Sequence, residues 1–474
     1  METTKILWPA LKYSNRYLLK LLKHRHCSSL NSTWRSYSTE QPQAQEVISR
    51  EKIQLSKPSI VKWKRPPFLK DIFLGKLDVE LLAFPEILTK EQVTELEDIV
   101  KNLNDFMIKR VNSQEIDKNA VIPEDVLQEL KEMGLFGRII PEKYGGLGLS
   151  YTSSTRLNEV LGLDWSVAST LAVHEFFAAE ALLHFGSETQ KSHYLPKMAS
   201  GEIVGAYCSS ELNRTCCHIA ICCLDSVTEH IIHCERLEKS LADYQLVRTR
   251  LSRITNMIYG METASYFTAA ILDSTEKPDI TLETTALKIF NSEATLDCLR
   301  ELMDALGSSG LMPGSHLEKF HRDALGLAMF DSPNDVARLY LGLRGGKLKG
   351  EKNGGKCLQN FEVASATILS DHGQKVVEAQ IDPRKLADIA KELYVWAAVL
   401  SRCSRSYCLG MKNSRHELRL ADAFCYDAFL RVAINMDAIA IGVAKNNERN
   451  HLMQGEQIVD CRGYFPEHPL KHNF

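Results

Sequence analysis

Helical periodicity runs through almost the entire chain after residue 85, and sustained strand-type alternation is nearly absent. Thr89, with Gln92 three residues later, forms a capping box that marks a helix start. Apolar residues then recur every three or four positions, at Val93, Leu96, Val100, Leu103 and Met107. Because this spacing buries one face of a helix and not one face of a strand, it predicts an all-α chain of bundled helices.

Breaker residues give the next helix boundaries. Pro123 is suited to open a second helix with Val126, Leu127 and Leu130 inward, and Gly134 is placed to end it. Further helical stretches are predicted near 151–163, 166–184 and 188–199, from about 213 to 344, and from about 375 to 445.

Size and charge exclude several classes of function. The 474 residues correspond to about three folding units at roughly 150 residues each. A net charge of −3 gives no field that would recruit nucleic acid, so no nucleic-acid partner is expected. No apolar run reaches the roughly 18 residues that a membrane-spanning helix needs, so no transmembrane role is expected either.

The first 39 residues have a composition of their own. Glu2 is their only acid, while serines and helically spaced leucines accompany seven cations: Lys5, Lys12, Arg16, Lys20, Lys23, Arg25 and Arg35. An Arg- and Ser-rich, acid-poor start predicts a mitochondrial transit peptide, with Arg35–Ser38 as a processing region. The alternative is a disordered basic tail. The segment is excluded from fold reasoning in both cases.

Five of the 13 cysteines lie between Cys216 and Cys234, interleaved with histidines. Zinc needs spaced ligand pairs that converge on one point. Here Cys216-Cys217 and Cys222-Cys223 are adjacent doublets, whose side chains point about 100° apart on a helix. The pattern favours cysteines that pack as small apolar residues on a helix face, and no metal site is predicted.

Two glycine-rich segments resemble phosphate-binding loops without fulfilling their requirements. Gly350–Lys356 fits GxxxxGK, but Cys357 replaces the hydroxyl residue and no strand precedes it. The run Gly345–Lys356 is instead predicted to begin a linker that extends to residue 374. Gly145–Gly148 lacks the preceding strand and the spacing of a dinucleotide-binding fingerprint, so this segment is predicted to be a turn.

Three long motifs resemble the acyl-CoA dehydrogenase family: Gly134–Gly148, Gly186–Lys191 and Tyr194–Glu202. Phe73–Lys76, Leu400–Ser406 and Phe424-Cys425 further resemble its mitochondrial complex I assembly branch, a sister of the very-long-chain enzymes. The resemblance covers roughly residues 68 to 470.

The resemblance implies an N-terminal helical domain, a middle β-domain and a C-terminal four-helix domain, with a further helical unit in this branch. FAD lies between the β-domain and the helices, often completed by a second subunit of a homodimer. A glutamate removes a proton from acyl-CoA while hydride passes to the flavin. The branch also implies complex I assembly factors as partners, and peripheral contact with the matrix side of the inner mitochondrial membrane.

The chain departs from the family where the β-domain should begin. The opening segment survives as Tyr207–Leu212, and the resemblance assigns cofactor contacts to Cys208 and Ser210. Asn213-Arg214 then resembles the start of the next helical domain, with Arg214 as a candidate for binding coenzyme A phosphates. More than a hundred residues of β-domain have no counterpart. A true loss and an incomplete gene model or splice form are both open.

The position of the family's catalytic glutamate is also altered. The family motif F-E-G-T-N aligns with Phe330–Asn334, which places Asp331 where the base would be. A carboxylate one methylene shorter can still accept a proton, but a misplacement of about 1 Å can lower the rate by about a hundredfold. Alternatively, Asp331 caps the helix that begins near Asn334.

The same alignment assigns flavin contacts to Arg236, Gly307 and Asn334, while Cys234 stands where the family has an arginine. Arg322-Asp323 is retained, and we interpret it as a structural ion pair rather than a ligand contact.

The predicted organisation has five parts: a transit peptide at 1–39, an N-terminal helical domain at 68–212, a C-terminal helical bundle at 213–344, a linker at 345–374 and an additional helical domain at 375–474. The function predicted is that of a catalytically impaired scaffold in complex I assembly. The alternative is an active FAD-dependent dehydrogenase of long or very long acyl chains.

Overall fold

The structure, a computed structural model, describes most of the chain after Pro67. The described residues are 67–76, 78, 87–205, 215–236, 238–276, 278–307, 310, 316–329, 332–346, 356–372, 378–442 and 447–463. The predicted transit peptide lies outside them.

The N-terminal part is built from short helices: α1 (Phe68–Phe73), α2 (Lys90–Arg110), α3 (Ser113–Asn119), α4 (Glu124–Glu132), α5 (Tyr151–Leu161), α6 (Trp165–Ala172), α7 (Glu180–Phe185) and α8 (Glu188–Ala199). Single turns of 3₁₀ helix cover Leu135–Gly137 and Glu142–Tyr144, and a π-helical stretch, Val173–Ala179, joins α6 to α7.

The remainder holds longer helices: α9 (Thr215–His233), α10 (Gln245–Ser274), α11 (Thr281–Leu306), α12 (His316–Met329), α13 (Asn334–Gly346), α14 (Lys356–His372), α15 (Ile381–Cys408), α16 (Ser414–Ile441) and α17 (Glu448–Asp460). A two-residue antiparallel hairpin, β1 (Glu235–Arg236) and β2 (Lys239–Ser240), precedes a 3₁₀ turn at Leu241–Asp243. These are the only strands among the described residues, so the predicted all-α fold is confirmed.

The sequence signals for helix boundaries are confirmed at several positions. Thr89 and Gln92 form the predicted capping box at the start of α2. Gly134 adopts a left-handed φ of 77° just after α4. Glycine reaches this conformation without steric cost, so it ends the helix as predicted. The turn at Gly145–Gly148 is equally clear, because a Cβ at Gly146 would lie 2.1 Å from the carbonyl oxygen of Ile140.

Helices α10 and α11 lie at the centre of the molecule. They pack against each other, against α9 and against the antiparallel pair α15–α16. The branch motif residue Phe424 contributes to this contact: a Cβ at Gly260 of α10 would lie 2.6 Å from its ring. The N-terminal helices bury a separate core around Leu103, Phe106 and Leu157.

The short helix α1 docks onto this central body. Phe68, Leu69, Ile72 and Phe73 are all buried, and Phe73 packs on Phe361 of α14 with ring centroids 5.0 Å apart. Residues 356–372, expected to belong to the linker, therefore form a packed helix. The prediction missed it because the glycine- and lysine-rich run before it dominated the local pattern.

Glu283, at the start of α11, binds the backbone of α1. Its Oε1 accepts a hydrogen bond of 2.6 Å from the backbone N–H of Leu69, and its Oε2 is buried without a hydrogen-bond partner. The side chain is 1% exposed. Burial raises the pKa of Glu283 from 4.5 to about 7, more than the bond from Leu69 lowers it.

We expect Glu283→Gln to change how stability depends on pH. The carboxyl has its ordinary pKa of 4.5 in the unfolded chain and a pKa of about 7 when folded, so the folded state binds this proton more tightly. That stabilisation is complete below the unfolded pKa and is lost as pH rises through the folded one. Between about pH 5 and pH 8, wild type should lose about 2.5 kcal/mol relative to the variant in urea unfolding.

The exposed Glu378→Gln is the matched control and should leave the pH profile of wild type unchanged. Parallel profiles for wild type and Glu283→Gln would contradict the assignment.

Arg138 and Glu175 form a fully buried ion pair in the N-terminal domain. The guanidinium holds both carboxylate oxygens of Glu175, with Nε 3.0 Å from Oε1, and donates to Asn158 Oδ1 at 2.8 Å. Glu175 lies in the middle of Trp165–Phe185, which is long and apolar enough by length and composition to cross a membrane. The sequence predicts a helix near 166–184 here, but not that the stretch is apolar enough to span a membrane. The buried charge pair and the packing of Val167 and Leu171 show that its inward face contributes to the core of this domain.

Arg138→Leu should destabilise the N-terminal domain by about 3–5 kcal/mol, because it leaves the Glu175 carboxylate buried without its cation. Arg138→Leu combined with Glu175→Leu should recover most of the loss, since the unpaired charge is then removed as well. Urea unfolding of the three proteins measures this. Equal losses in the single and double variants would show that packing, rather than charge, accounts for the effect.

Candidate functional site

The loop between α12 and α13 is the position at which the sequence places the catalytic carboxylate. Lys288 of α11 holds both sides of this loop. Its Nζ donates to the carbonyl oxygens of Ala328 at 3.2 Å and Ser332 at 2.6 Å, and to Asn334 Oδ1 at 2.6 Å. The lysine is 4% exposed. The buried ammonium thus fixes where the loop leaves α12 and where it enters α13.

Asn334, assigned to the flavin by the resemblance, has its side chain engaged within the protein. While Oδ1 accepts from Lys288, Nδ2 donates to Ser292 Oγ at 3.0 Å and to Glu293 Oε1 at 3.3 Å. Both ends of the amide are therefore used to attach α13 to α11. A flavin contact would have to displace one of these bonds.

Glu293 continues the polar contacts into a cluster of four alternating charges. Its carboxylate lies 2.6 Å from Arg338 Nη2 and 2.8 Å from Lys391 Nζ. Asp388 lies 2.9 Å from Arg338 Nε and 3.0 Å from Lys391 Nζ. We call Glu293, Arg338, Asp388 and Lys391 the interhelical charge cluster, because it joins α11, α13 and α15.

The electrostatics of the cluster are balanced. Burial acts to raise the pKa of Glu293 and of Asp388, but the neighbouring ammonium and guanidinium outweigh it and hold both pKa values below their ordinary range. Burial acts to lower the pKa of Lys391, but Asp388 and Glu293 hold it above its ordinary value. All four groups are therefore ionised at neutral pH, and each charge has two opposite charges beside it.

Sequence reasoning did not find Lys288 or the interhelical charge cluster. A signal was available: Lys288 interrupts the apolar run from Ala286 to Phe290, and a single charge on an apolar helix face needs a buried partner. The periodicity shows that such a residue is buried, but not which helix supplies its partner.

The other predicted site residues are placed as follows. Asp331, Cys208, Ser210 and Arg214 lie outside the described residues, and their roles remain predictions. Arg236 is exposed on β1, where its Nη1 donates to the Glu235 carbonyl at 3.3 Å.

Gly307 ends α11 in a left-handed conformation, φ 65°, and a Cβ there would meet nothing within 4 Å. It lies roughly 22 Å along the helix axis from Ser292, at 1.5 Å per residue. Asn334 therefore contacts the middle of α11, while Gly307 lies at its C-terminal end.

Arg322 and Asp323 both make structural ion pairs, but with other residues and not with each other as interpreted from the sequence. The Arg322 guanidinium binds both oxygens of Asp117 in α3, at 3.1 and 2.8 Å, and Glu318 at 2.6 Å. Asp323 accepts from Lys319 at 2.9 Å. These contacts attach α12 to the N-terminal domain.

The cysteine-rich segment forms helix α9, as the packing interpretation requires. Cys223 is buried in the central core and Cys222 is half-buried, while the side chains of Cys216 and Cys217 lie outside the description. Burial raises the pKa of the Cys223 thiol, so it stays neutral and packs as an apolar group. Within the described part of the chain, no group of three or more His, Cys, Asp or Glu is arranged to hold a metal ion.

His174 binds the backbone of Gly205, the last described residue before the position where the β-domain was expected. Its Nδ1 accepts from the backbone N–H of Gly205 at 2.8 Å, so Nε2 carries the proton and donates to the Phe136 carbonyl at 3.0 Å. Burial lowers the pKa of His174, in agreement with a neutral ring. The preceding helix, α8, ends at Ala199 and α9 begins at Thr215, so fifteen residues connect the two helical domains.

Comparison with known families agrees with this architecture. Residues 94–202 match the acyl-CoA dehydrogenase N-terminal domain, and residues 213–344 match the acyl-CoA dehydrogenase C-terminal domain. Together with the fold, these matches show that the chain belongs to the acyl-CoA dehydrogenase family. Residues 349–464 match the ACAD9/ACADV C-terminal domain, which identifies the chain more closely as a relative of the very-long-chain group.

Curated relatives agree with that grouping. The chain is 22% identical to the mitochondrial very long-chain specific acyl-CoA dehydrogenase of Macaca fascicularis, over 88% of this chain and 91% of that protein. It is 22% identical to the same protein of Rattus norvegicus, over 93% and 95%. The macaque alignment is 595 positions long and thus exceeds the 474 residues of this chain. The relative therefore has segments without a counterpart here.

Among solved structures, an acyl-CoA dehydrogenase complexed with FAD from Bacillus anthracis shares the fold, with a TM-score of 0.68 and 16% identity over 84% of this chain and 96% of that one. Family resemblance thus implies FAD, but the residues present here do not fit a flavin site of that kind. The fifteen residues between α8 and α9 are far fewer than the roughly 40 that a small domain needs, so the chain has too few residues here for a domain that would enclose the flavin. The Asn334 amide is also already occupied.

We expect Lys288→Met to destabilise the protein by about 3 kcal/mol or more, since three buried oxygens lose a charged donor. Urea unfolding measures the loss, and limited proteolysis between Ala328 and Asn334 reports loosening of the loop even if the variant is poorly folded. The exposed Lys90→Met is the matched control and should change stability by less than about 0.5 kcal/mol. A loss for Lys288→Met as small as that of the control would contradict the assignment.

Proposed function

We propose that this chain is a mitochondrial acyl-CoA dehydrogenase-family protein without dehydrogenase turnover, and that it acts as a scaffold in respiratory complex I assembly. One observation carries the first part: only fifteen residues, 200–214, lie between helix α8 of the first helical domain and helix α9 of the second. Flavin binding requires burial and fixed donors on both sides of the ring. A chain that cannot form one side should lose affinity by orders of magnitude.

The helical framework itself is intact, which favours a binding role. The central helices are covered by α15 and α16, and buried charges join them through the interhelical charge cluster. A scaffold requires the folded helical framework but not the redox pocket. The complex I part is supported by the resemblance of Phe73–Lys76 and Leu400–Ser406 to that branch, and by the match of residues 349–464.

Location and partners follow from the same relationships. The basic N-terminal segment and the mitochondrial relatives support a mitochondrial location, which we place at the matrix side of the inner membrane. The proposed partners are complex I assembly factors and a second copy of the chain. The proposed domains are 1–39, 68–212, 213–344, 345–374 and 375–474, with α14 as a helix inside the linker.

An active dehydrogenase of long or very long acyl-CoA is the second candidate. The curated relatives carry that name over nearly the full chain, and Asp331 keeps a carboxylate at the position of the family base. If the short junction between α8 and α9 came from an incomplete gene model, the parent chain would follow this second function.

Flavin content and turnover of the purified full chain separate the candidates. We expect a colourless protein that releases no flavin on denaturation and does not reduce a flavin-linked electron acceptor with palmitoyl-CoA. The rat relative, purified in parallel, is the positive control. Stoichiometric flavin that bleaches on addition of palmitoyl-CoA would overturn the proposal.

The scaffold role has its own test, in mitochondria from cells lacking the protein. Re-expressed wild type and Asp331→Ala should restore complex I to the same level, because the carboxylate is not used. A chain truncated after residue 344 should fail to restore it. Failure of Asp331→Ala alone would show that the carboxylate is needed and would contradict the scaffold assignment.

A further inference from the structure

Helix α1 lies over an aromatic surface that comes from three helices of the C-terminal part. Phe68 packs on Phe267 of α10 and on Tyr394 of α15, with ring centroids 5.5 and 6.0 Å apart. Phe73 packs on Phe361 of α14 at 5.0 Å. We call the surface formed by Phe267, Phe361 and Tyr394 the aromatic groove. All three rings are buried, and α1 contributes to shielding them from water.

Two polar contacts attach α1 to the bundle. The backbone N–H of Leu69 donates to Glu283 Oε1, and the ammonium of Lys70 binds the carboxylate of Asp279. With six residues, α1 is shorter than the roughly 12 to 15 that a helix needs to persist alone in water. Its helical form therefore depends on docking, and we expect α1 to dock and undock as a unit.

Undocking of α1 leaves both domain cores in place. Sixteen residues separate the end of α1 at Phe73 from the start of α2 at Lys90. Helix α2 belongs to the separate core of the N-terminal domain, around Leu103 and Phe106. Helices α10 and α11 pack on each other and on α15 through contacts of their own. A local opening of α1 therefore requires no rearrangement of either domain.

Glu283 lies beneath α1 with an incomplete set of hydrogen bonds. Its Oε1 accepts from Leu69, whereas its Oε2 is buried without a partner. The charged and titratable groups that act on this carboxyl are Lys70 of α1, Asp279 of the loop before α11 and Tyr394 of α15. Lys70 favours the ionised form and Asp279 disfavours it, so burial is the dominant influence.

Helices α13 and α14 meet α1 at its other end. A Cβ at Gly345 of α13 would lie 2.1 Å from the ring of Phe73, and a Cβ at Gly75 would lie 3.0 Å from Oε2 of Glu362 in α14. Helix α10 contributes the uncharged ring of Phe267. Glu362 therefore lies at the opposite end of α1 from the buried carboxyl.

Undocking of α1 exposes the Glu283 carboxyl to water, where it has its ordinary pKa of 4.5. In the docked state burial raises this pKa to about 7. The docked state therefore binds the proton more tightly, and docking is strongest below about pH 4.5. Docking weakens as pH rises from there, and levels off above about pH 7, once Glu283 is ionised in both states.

We propose that α1 is a proton-controlled latch over the aromatic groove, and that loss of the Glu283 proton promotes its local undocking while the helical bundle stays folded. Two features of the geometry carry this inference: the unpartnered Oε2 beneath α1, and the attachment of α1 to a bundle with cores of its own. Opening makes the rings of the aromatic groove accessible to another apolar segment. The latch does not depend on the proposed scaffold role.

Hydrogen exchange of the full chain, followed by mass spectrometry, separates local opening from global unfolding. The reporter is a peptide covering residues 68–76, in which backbone amides are hydrogen-bonded when α1 is docked. The reference is a peptide from Ala286 to Leu299 in the centre of α11. Rates are measured at pH 5, 6, 7 and 8 and divided by the intrinsic rate of free amides at each pH, which gives the opening constant.

We expect the opening constant of α1 to rise about seventyfold between pH 5 and pH 8, which follows from pKa values of 4.5 and about 7. At every pH, α1 should open at least about a hundredfold more often than α11, because one short helix separates more readily than the bundle unfolds. Urea at 0.5 M should leave the opening of α1 nearly unchanged and increase that of α11, because local opening exposes little surface.

Glu283→Gln should give the same α1 opening constant at pH 5 and at pH 8, since the neutral amide keeps the size of the protonated carboxyl. The exposed Glu378→Gln is the matched control and should keep the wild-type rise. Phe68→Leu should increase opening about tenfold at every pH but keep the rise, because it weakens packing and leaves the carboxyl in place.

Three results would overturn the inference. An opening constant of α1 that does not change with pH in wild type would show that Glu283 does not control docking. A rise that persists in Glu283→Gln would assign the pH dependence to another group. Exchange of α1 and α11 with equal opening constants and equal dependence on urea would show that α1 leaves only when the whole protein unfolds.

Discussion

Four paired charges, two buried and two half-buried, determine how the C-terminal helices lie on the central bundle. Glu293, Arg338, Asp388 and Lys391 come from three helices that are distant in sequence, and each is stable in the interior only because two opposite charges lie within hydrogen-bonding reach. A slip of α15 by one turn would break the Arg338–Asp388 and Glu293–Lys391 pairs, which cross between helices. The cluster therefore sets the register of α15 on α11 and α13, and with it the position of α16.

This arrangement explains how a family framework persists without its middle domain. Helices of the two flanking domains bury their apolar faces on one another and on α10 and α11, so their stability does not depend on strands. A flavin site is different, because it needs two layers with the ring between them. Removal of one layer abolishes the site and leaves the other layer folded. Lys288 and Asn334 show the same separation, since their hydrogen bonds hold the loop and α13 in place without a contribution from strands.

Sequence reasoning succeeded where the signal is local. The capping box at Thr89, the left-handed Gly134 and the helical cysteine segment all depend on residues a few positions apart. It failed where contacts between residues distant in sequence override the local pattern. Helix α14 follows a glycine-rich run but is held by Phe361 against Phe73, almost three hundred residues away. The apolar stretch around Glu175 was not noticed, because its charge is buried by an arginine on another element.

The amino-acid sequence by itself determined the fold class, the family and the shortness of the junction between the two helical domains, because periodicity, long motifs and segment length are properties of the chain alone. Only the tertiary structure decided which buried charges are paired, that the Asn334 amide is occupied, and that α1 docks on Glu283. The physical reason is that a charge or an apolar side chain has no fixed role until its neighbours in space are known, and those neighbours come from helices far apart in sequence.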